Sequence, residues 1–524
     1  MTPTDLSGSA PTKGKSMSEV ENPPTGDVTT KQHLSADAVV TAFGYKPQLR
    51  RSLKFFSLFA IAFSVISIST GLFLNYGFGI NSFGPAFIWS WPIAAVGQIL
   101  VALIIAELST KIPIAGYAYQ WGARLVNSGY GWFVAAFALL YMLVTVGAIA
   151  LLGISPLFLN AIGVDNPGPR LILSVALILL LVAIVINVIS VQLTARVNNV
   201  AVFTEIAGTV VLAILLLILW GVHGSHGEAG ASILGSTART LHSAGWYAFA
   251  LGGLIGIYTL VGFELSADLT EEAVESQHSV PRGIIAGVCI SAVLGMFALI
   301  SFTLAIPNIK AVQASSLPLV TIADHWMAHG IVRVIVLLVA FSMFALDVIT
   351  IAACGRLIFS LSRDNMLPFS KQLREVGHRS QTPMTALLVS GAIMIALMWW
   401  GYLQSSAFGT LIGATSLAPY LVYLLIVVVY LLKRQTLQQV RGGFNLGRYG
   451  LPVMIVALIW VVTACLVLIL PTPFHGADKI VGGGFVLALL WYVFVLRHRI
   501  KAGTAGVNLF TAHSDQADAV EASD

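Results

Sequence analysis

Residues 256–273 read GIYTLVGFELSADLTEEA. The stretch begins inside a strongly apolar run, meets Gly262, and then carries Glu264, Asp268, Glu271 and Glu272 in quick succession. Hydrocarbon tolerates few stray carboxylates. Either this is not a membrane segment, or its polar residues serve a purpose.

Composition answers the first half of that question. The 524-residue chain is 57% hydrophobic and only 10% charged, with mean hydropathy +0.87; a soluble chain carries roughly 25% charged residues. Runs of about 20 apolar residues cross a bilayer core. Twelve are present, near 55–78, 87–110, 131–162, 170–191, 200–221, 246–267, 284–306, 333–360, 384–402, 407–432, 449–471 and 480–497. The sequence therefore predicts an all-α polytopic membrane protein with twelve transmembrane helices.

The net charge of +5 is not a nucleic-acid signature, because its distribution follows the membrane. With the amino terminus inside, the cytoplasmic side receives Lys46, Arg50, Arg51, Lys54, Arg363, Lys371, Arg374, Arg379, Lys433, Arg434, Arg441, Arg448, Arg497, Arg499 and Lys501. Outer loops receive only Arg170, Arg239, Lys310, Arg333 and Lys479. This is the positive-inside bias, and it predicts a multi-pass cell-membrane protein with both termini cytoplasmic. Cys289, Cys354 and Cys465 all fall within spans, in no metal-ligand spacing.

Residues 1–45 and 498–524 read as disordered cytoplasmic tails, because they are polar and lack an apolar period. Between them, 46–497 forms the transporter-sized domain. The segment GSAPTKGKS at 8–16 imitates a phosphate loop, but its spacing is one residue too long and no strand precedes it. His223, His226 and His242 share an outer loop, where solvated histidines are commoner than metal ligands. No cofactor is expected.

Interruptions within spans carry the most information. Freed backbone groups are costly in hydrocarbon, so a broken helix survives only where it lines a cavity. The first span contains SVISISTGLFLNYGFG (64–79), with Ser64, Ser67, Ser69, Thr70 and Gly71 at mid-depth, and the sixth contains the opening stretch. Glycine-interrupted segments in corresponding positions of two halves point to a secondary transporter's binding site. These two correspond if the core is a pair of five-span repeats, 55–221 and 246–432, followed by extra helices over 449–497. An odd number of spans per repeat inverts the second half.

These residues also carry a resemblance. FSVISISTGLFLNYG (63–77), AELSTKIPIAGYAYQWGARL (106–125), ARVNNVAVFTEIAG (195–208), LVGFELSADLTEEAVESQHSVPRGI (260–284) and GRLIFSLSRDNMLPFSKQL (355–373) resemble, in order, motifs of the amino acid–polyamine–organocation superfamily, in its amino acid/choline transporter branch. The resemblance implies a leucine-transporter-type fold with a five-plus-five inverted repeat plus two extra helices. Two departures stand out: Gly116-Tyr117 where the family has Gly-Gly, and Asp347 where a small residue is usual.

A broken helix offers N–H groups for a carboxylate and carbonyls for an ammonium. The expected substrate site comprises Ser67, Ser69, Thr70, Gly71, Leu72, Tyr258, Val261, Gly262 and Phe263. In it, the Thr70, Gly71 and Leu72 N–H groups and the Thr70 hydroxyl meet the carboxylate, and carbonyls near Ser67 and Val261 meet the ammonium. By resemblance Tyr258 gates the substrate; the alternative is a packed aromatic.

Membrane carboxylates are the candidates for ion coupling. Glu205, two turns into the fifth span, suits taking up and releasing protons, and by resemblance it takes the place of a lysine found in some proton-coupled relatives. Thr350 is placed to face it, with Asp347 one turn earlier on the same helix face, and Glu264 faces the cavity or caps the second half-helix. Glu271 and Glu272 are expected to form an inner gate with Arg282 and the basic loop after the eighth span, while Glu107 near Lys111 reads as structural.

The expected function is secondary transport of an amino acid or related amine by alternating access, coupled to protons. Sodium coupling or none, and exchange of choline, polyamine or gamma-aminobutyrate, are alternatives. A channel would need a charged ring or repeated filter, an enzyme a nucleophile–base set, and a sensor a soluble output domain. The sequence shows none of these. The particular substrate and the oligomeric state stay open.

Overall fold

A computed structural model describes residues 40–41, 43–49, 51–164, 166–222, 230–237, 245–377, 381–404, 407–437 and 443–507. The three loop histidines and most of both tails lie outside the described residues.

Eleven helices among the described residues are long and apolar enough to cross a membrane: Phe55–Phe83, Pro85–Lys111, Ser128–Ala161, Pro169–Ile189, Val191–Val222, Ser276–Leu304, His329–Arg363, Met384–Tyr402, Gly409–Thr436, Gly447–Ile469 and His475–Lys501. The remaining expected span, the sixth, is present in pieces, Gly245–Gly252, Leu254–Thr259 and Leu265–Asp268, and so does not qualify as one helix. The first span is also two helices, Phe55–Ile66 and Ile68–Phe83.

The packing is reciprocal between halves. The third span packs on the tenth as the eighth packs on the fifth, the third on the ninth as the eighth on the fourth, and the second lies against the seventh. A five-plus-five inverted repeat requires this exchange of partners. Short helices follow the second span of each half, Tyr117–Leu125 in one and Ile309–Ala314 with Pro318–Trp326 in the other. The last two spans pack on the outside of the second, third and tenth. Burial sorts the layers: 83% of the most apolar window of the first span is enclosed by protein, against 17% for the last. The first is therefore core, and the last faces lipid.

The end of the bundle that carries both described termini is knitted together. Ser52 and Leu53 N–H donate to Glu272 O at 2.9 and 3.0 Å, and Val274 N–H returns to Leu53 O at 2.8 Å. Tyr45 Oη donates to Asp364 Oδ2 at 2.9 Å, and Gly506 N–H donates to Asp364 O at 2.9 Å. Residues 498–507, expected from sequence as tail, thus continue the last helix and turn back onto the end of the eighth span. Lys46, Asp364 and Ala505 share a cavity of about 470 Å³ there.

Candidate functional site

The first span bends at Ser67, which has φ 38° and ψ 89°. This left-handed conformation is unfavourable for a residue with a Cβ, but serine brings its own compensation. Ser67 Oγ accepts from Thr70 N–H at 3.3 Å and Ser67 O accepts from Gly71 N–H at 3.0 Å, capping the second half-helix. Its hydroxyl also meets Thr70 Oγ1 at 2.7 Å. Ser69 N–H donates to Glu205 Oε1 at 2.9 Å, and Ser67 Oγ donates to the same oxygen at 3.2 Å.

Gly71 is therefore helical rather than the hinge. Its use is close approach: a Cβ there would overlap the Thr259 side chain. Leu72 follows it, buried, one turn into the same half-helix.

The sixth span opens over Leu260–Glu264, with Gly262 at φ 91°. A Cβ on Gly262 would collide with the Val65 side chain and come within 2.7 Å of Tyr141 Oη. Each glycine thus presses onto the other broken span, Gly71 on Thr259 and Gly262 on Val65, and the two breaks abut. Gly262 N–H donates to Tyr423 Oη at 3.2 Å, and Tyr423 Oη donates to Glu264 Oε2 at 2.6 Å. Phe263 stacks on the Tyr423 ring at 5.7 Å between centroids. Val261 and Tyr258 are buried beside the opening.

Eight buried carboxylates are found among the described residues, and seven have a donor. Glu107 pairs with Lys111 at 3.0 Å and Arg434 at 3.2 Å. Glu205 is held by Ser69 and Ser67, and Glu264 by Tyr423. Asp268 Oδ1 accepts from Gly116 N–H at 3.0 Å. Glu271 accepts from Ala115 N–H, and Asp364 from Tyr119 Oη at 2.7 Å. Glu271 and Glu272 also take part in ion pairs.

The eighth is Asp347. It is 1% exposed, and its Oδ1 is enclosed without a hydrogen-bond partner. It interacts electrostatically with Tyr258, whose own hydroxyl is also enclosed and unpartnered. Thr350, one turn on, gives its hydroxyl to Leu346 O at 2.9 Å rather than to Glu205. Glu205 and Ser69 instead line a cavity of about 40 Å³ with Leu72, Phe302 and Ser342, enough room for a water.

At the end that carries Glu271 and Glu272, the expected cation after the eighth span, Arg363, is in place, while Arg282 is replaced by Arg356. Arg282 is exposed. Glu272 pairs with Arg356 Nε at 2.7 Å and Glu271 with Arg363 Nη1 at 3.0 Å, both from the end of the eighth span. Arg363 in turn lies 3.6 Å over the Tyr45 ring. The physical reason is register: Arg282 projects from the seventh span toward the surface, while Arg356 and Arg363, two turns apart, share the inward face. An arginine at 356 inside an apolar run was a readable signal. Tyr141 and Tyr423 gave none, since an isolated tyrosine in a span is ordinary.

Gly116, the departure from the family's Gly-Gly, has φ 89° and heads the helix Tyr117–Leu125. A Cβ there would collide with Ser360, so only glycine brings this N–H to Asp268.

Comparison with known proteins agrees with this architecture. A family model described as amino acid permease matches residues 53–495. The amino-acid permease BAT1 of Arabidopsis thaliana is 26% identical, aligned over 87% of this chain and 93% of its own. The thiamine transporter thi9 of Schizosaccharomyces pombe is 22% identical over 93% and 90%. A GABA-specific permease of Saccharomyces cerevisiae is 24% identical over 71% and 67%. With twelve membrane segments, two abutting breaks and a family match spanning nearly all of them, the chain belongs to the amino acid permease family: it is a membrane transporter of amino acids or amines, not an enzyme.

Proposed function

We propose that the abutting breaks at Ser67 and 260–264 are the substrate site, and that transport is coupled to protons through Glu205. The observation that carries this is the double glycine contact, Gly71 on Thr259 and Gly262 on Val65. It packs the two breaks, with their interrupted peptide ladders, directly against each other. The first half-helices end there, and a helix end presents carbonyls and partial negative charge. Carbonyls near Ser67 and Val261 suit an ammonium group, with Tyr258 and Phe263 as aromatic walls.

Glu205 supplies the coupling. Its carboxylate accepts from Ser69 N–H and the Ser67 hydroxyl, so it holds the start of the second half-helix of span one. An ionised carboxylate accepts such bonds more strongly than a protonated one. Proton arrival from the adjacent small cavity would therefore loosen the half-helix, and departure would tighten it. Glu264 stands at the head of the second half-helix without capping it, is held instead by Tyr423, and is the second titratable group of the site.

Toward the cytoplasm, the Glu271–Arg363 and Glu272–Arg356 pairs form the inner gate; both termini lie in the cytoplasm of a cell-membrane protein, a reading that the positive-inside bias supports. The test is counterflow of a labelled amine or amino acid in proteoliposomes under an imposed pH gradient. Saturable counterflow accelerated by an inward proton gradient is expected. Equal rates with and without the gradient would remove the proton, and unsaturable flux would remove the carrier mechanism.

A further inference from the structure

We infer that the substrate is an organic cation without a free carboxylate, and that Asp347 is the residue that selects it. This rests on the break being the substrate site.

The first observation is that two of the three N–H groups opening the second half-helix, those of Ser69 and Thr70, are already taken by the protein's own acceptors. A zwitterion at a broken helix places its carboxylate on the N–H groups that open the second half. Here Ser69 N–H is bonded to Glu205, Thr70 N–H to Ser67 Oγ and Gly71 N–H to Ser67 O. The Thr70 hydroxyl is engaged with Ser67 as well. At the other break, Gly262 N–H is taken by Tyr423, whose hydroxyl binds Glu264. A substrate carboxylate would have to displace the protein's own acceptors and then sit beside Glu205 and Glu264, with like charges opposed.

The second observation is independent of the first. Asp347 is the single buried carboxylate, among the described residues, with neither a hydrogen bond nor an ion pair. Removing a carboxylate from water without a partner is strongly unfavourable, so a buried acid is neutral or has a cation beside it. The arginines of the same helix lie about two and four turns further on and are engaged elsewhere, Arg356 by Glu272 and Arg363 by Glu271. Tyr258, the neighbour of Asp347, leaves its hydroxyl unpartnered too. An acid and an aromatic ring at one place are the ordinary receptor for an ammonium or guanidinium group. Without a ligand Asp347 is neutral, and the cation that ionises and pairs with it is the substrate's.

The experiment uses purified full-length protein in nanodiscs and matched pairs of ligands that differ by one carboxylate: agmatine with arginine, putrescine with ornithine, tryptamine with tryptophan. At least one amine is expected to bind about tenfold or more tighter than its carboxylated parent. Asp347→Asn is expected to weaken that amine about 30-fold or more, the scale for removing one partner of a buried charge pair. The wild-type comparison stands even if the variant does not fold. Amino acids binding as tightly as their amines, or an Asp347→Asn protein that binds the amine unchanged, would overturn the inference, as would no binding of any pair. Gly71→Val separates the two levels. If it abolishes amino-acid binding that Asp347→Asn leaves intact, the site stands and the cation selectivity falls; if ligand binding survives Gly71→Val, the site itself falls.

Discussion

The two breaks occupy equivalent positions in the two halves, yet the protein treats them differently. In the first span the interruption is a single residue, Ser67, and the side chain at that bend also caps the second half-helix. In the sixth the chain runs without helix from Leu260 to Glu264, turns on a glycine, and relies on Tyr423 from another span. The first is closed by its own serine and by Glu205 of the fifth span. Each leaves polar atoms over: Ser64 Oγ at the first, and Glu264 Oε1 with Tyr258 Oη at the second, all enclosed without partners. The repeat thus supplies two openings, of which one leaves only a hydroxyl unpaired and the other a carboxylate oxygen and a phenol.

Four substitutions break or sharpen this contrast. Gly71→Val has the largest expected effect, because it drives a branched side chain into Thr259 and forces the breaks apart. Saturable uptake should fall below detection while the amount of protein in the membrane holds. Retained uptake would show that the two openings work separately.

Next is Glu205→Gln. The amide oxygen can still accept from Ser69 N–H, but the side chain can no longer cycle a proton. Exchange should persist while accumulation driven by a pH gradient is lost; an unchanged pH profile of uptake would exclude Glu205 from coupling.

Tyr423→Phe attacks the sixth-span opening alone. It leaves Gly262 N–H and Glu264 Oε2 without their shared partner, and an orphaned buried polar group costs about 1–3 kcal/mol. Thermal unfolding in detergent should register a loss of that size. No loss would mean that water replaces the hydroxyl and that this break needs no remote support.

The smallest effect is expected for Ser67→Gly. It removes the cap, at a cost of roughly 0.3 kcal/mol when glycine takes the cap position, and relieves the left-handed strain of about 1–2 kcal/mol. Stability should rise by about 1 kcal/mol, whereas Ser67→Ala keeps the strain and loses about 1 kcal/mol with the cap. If Ser67→Ala melts with the wild type, the capping account of span one is wrong.

Much of the fold was legible because it follows from solvent. Long apolar runs and the sorting of lysine and arginine need no tertiary knowledge, and Gly262 followed by four acids marked the sixth-span opening. The first-span hinge lies one turn before the glycine that suggested it. Glycine implies freedom of the backbone, but Gly71 is there because Thr259 leaves no room for a Cβ, and a serine that caps itself can bend the chain instead. Of the partners of Glu271 and Glu272, Arg363 was legible in the basic residues after the eighth span, and Arg356 was not. Arg282 is near in sequence, while Arg356 lies 84 residues from Glu272, and only packing brings them together. The occupation of Ser69 N–H was unreadable for the same reason, since Glu205 lies 136 residues from it.

Lys46 and Ala505, near the two ends of the described residues, line one hollow beside Asp364. A fluorescent donor and acceptor attached at these positions would start within efficient energy transfer. Any working stroke that swings the end of span eight away from either terminal segment would then appear as a change in colour, read from one face of the membrane and without touching the substrate path.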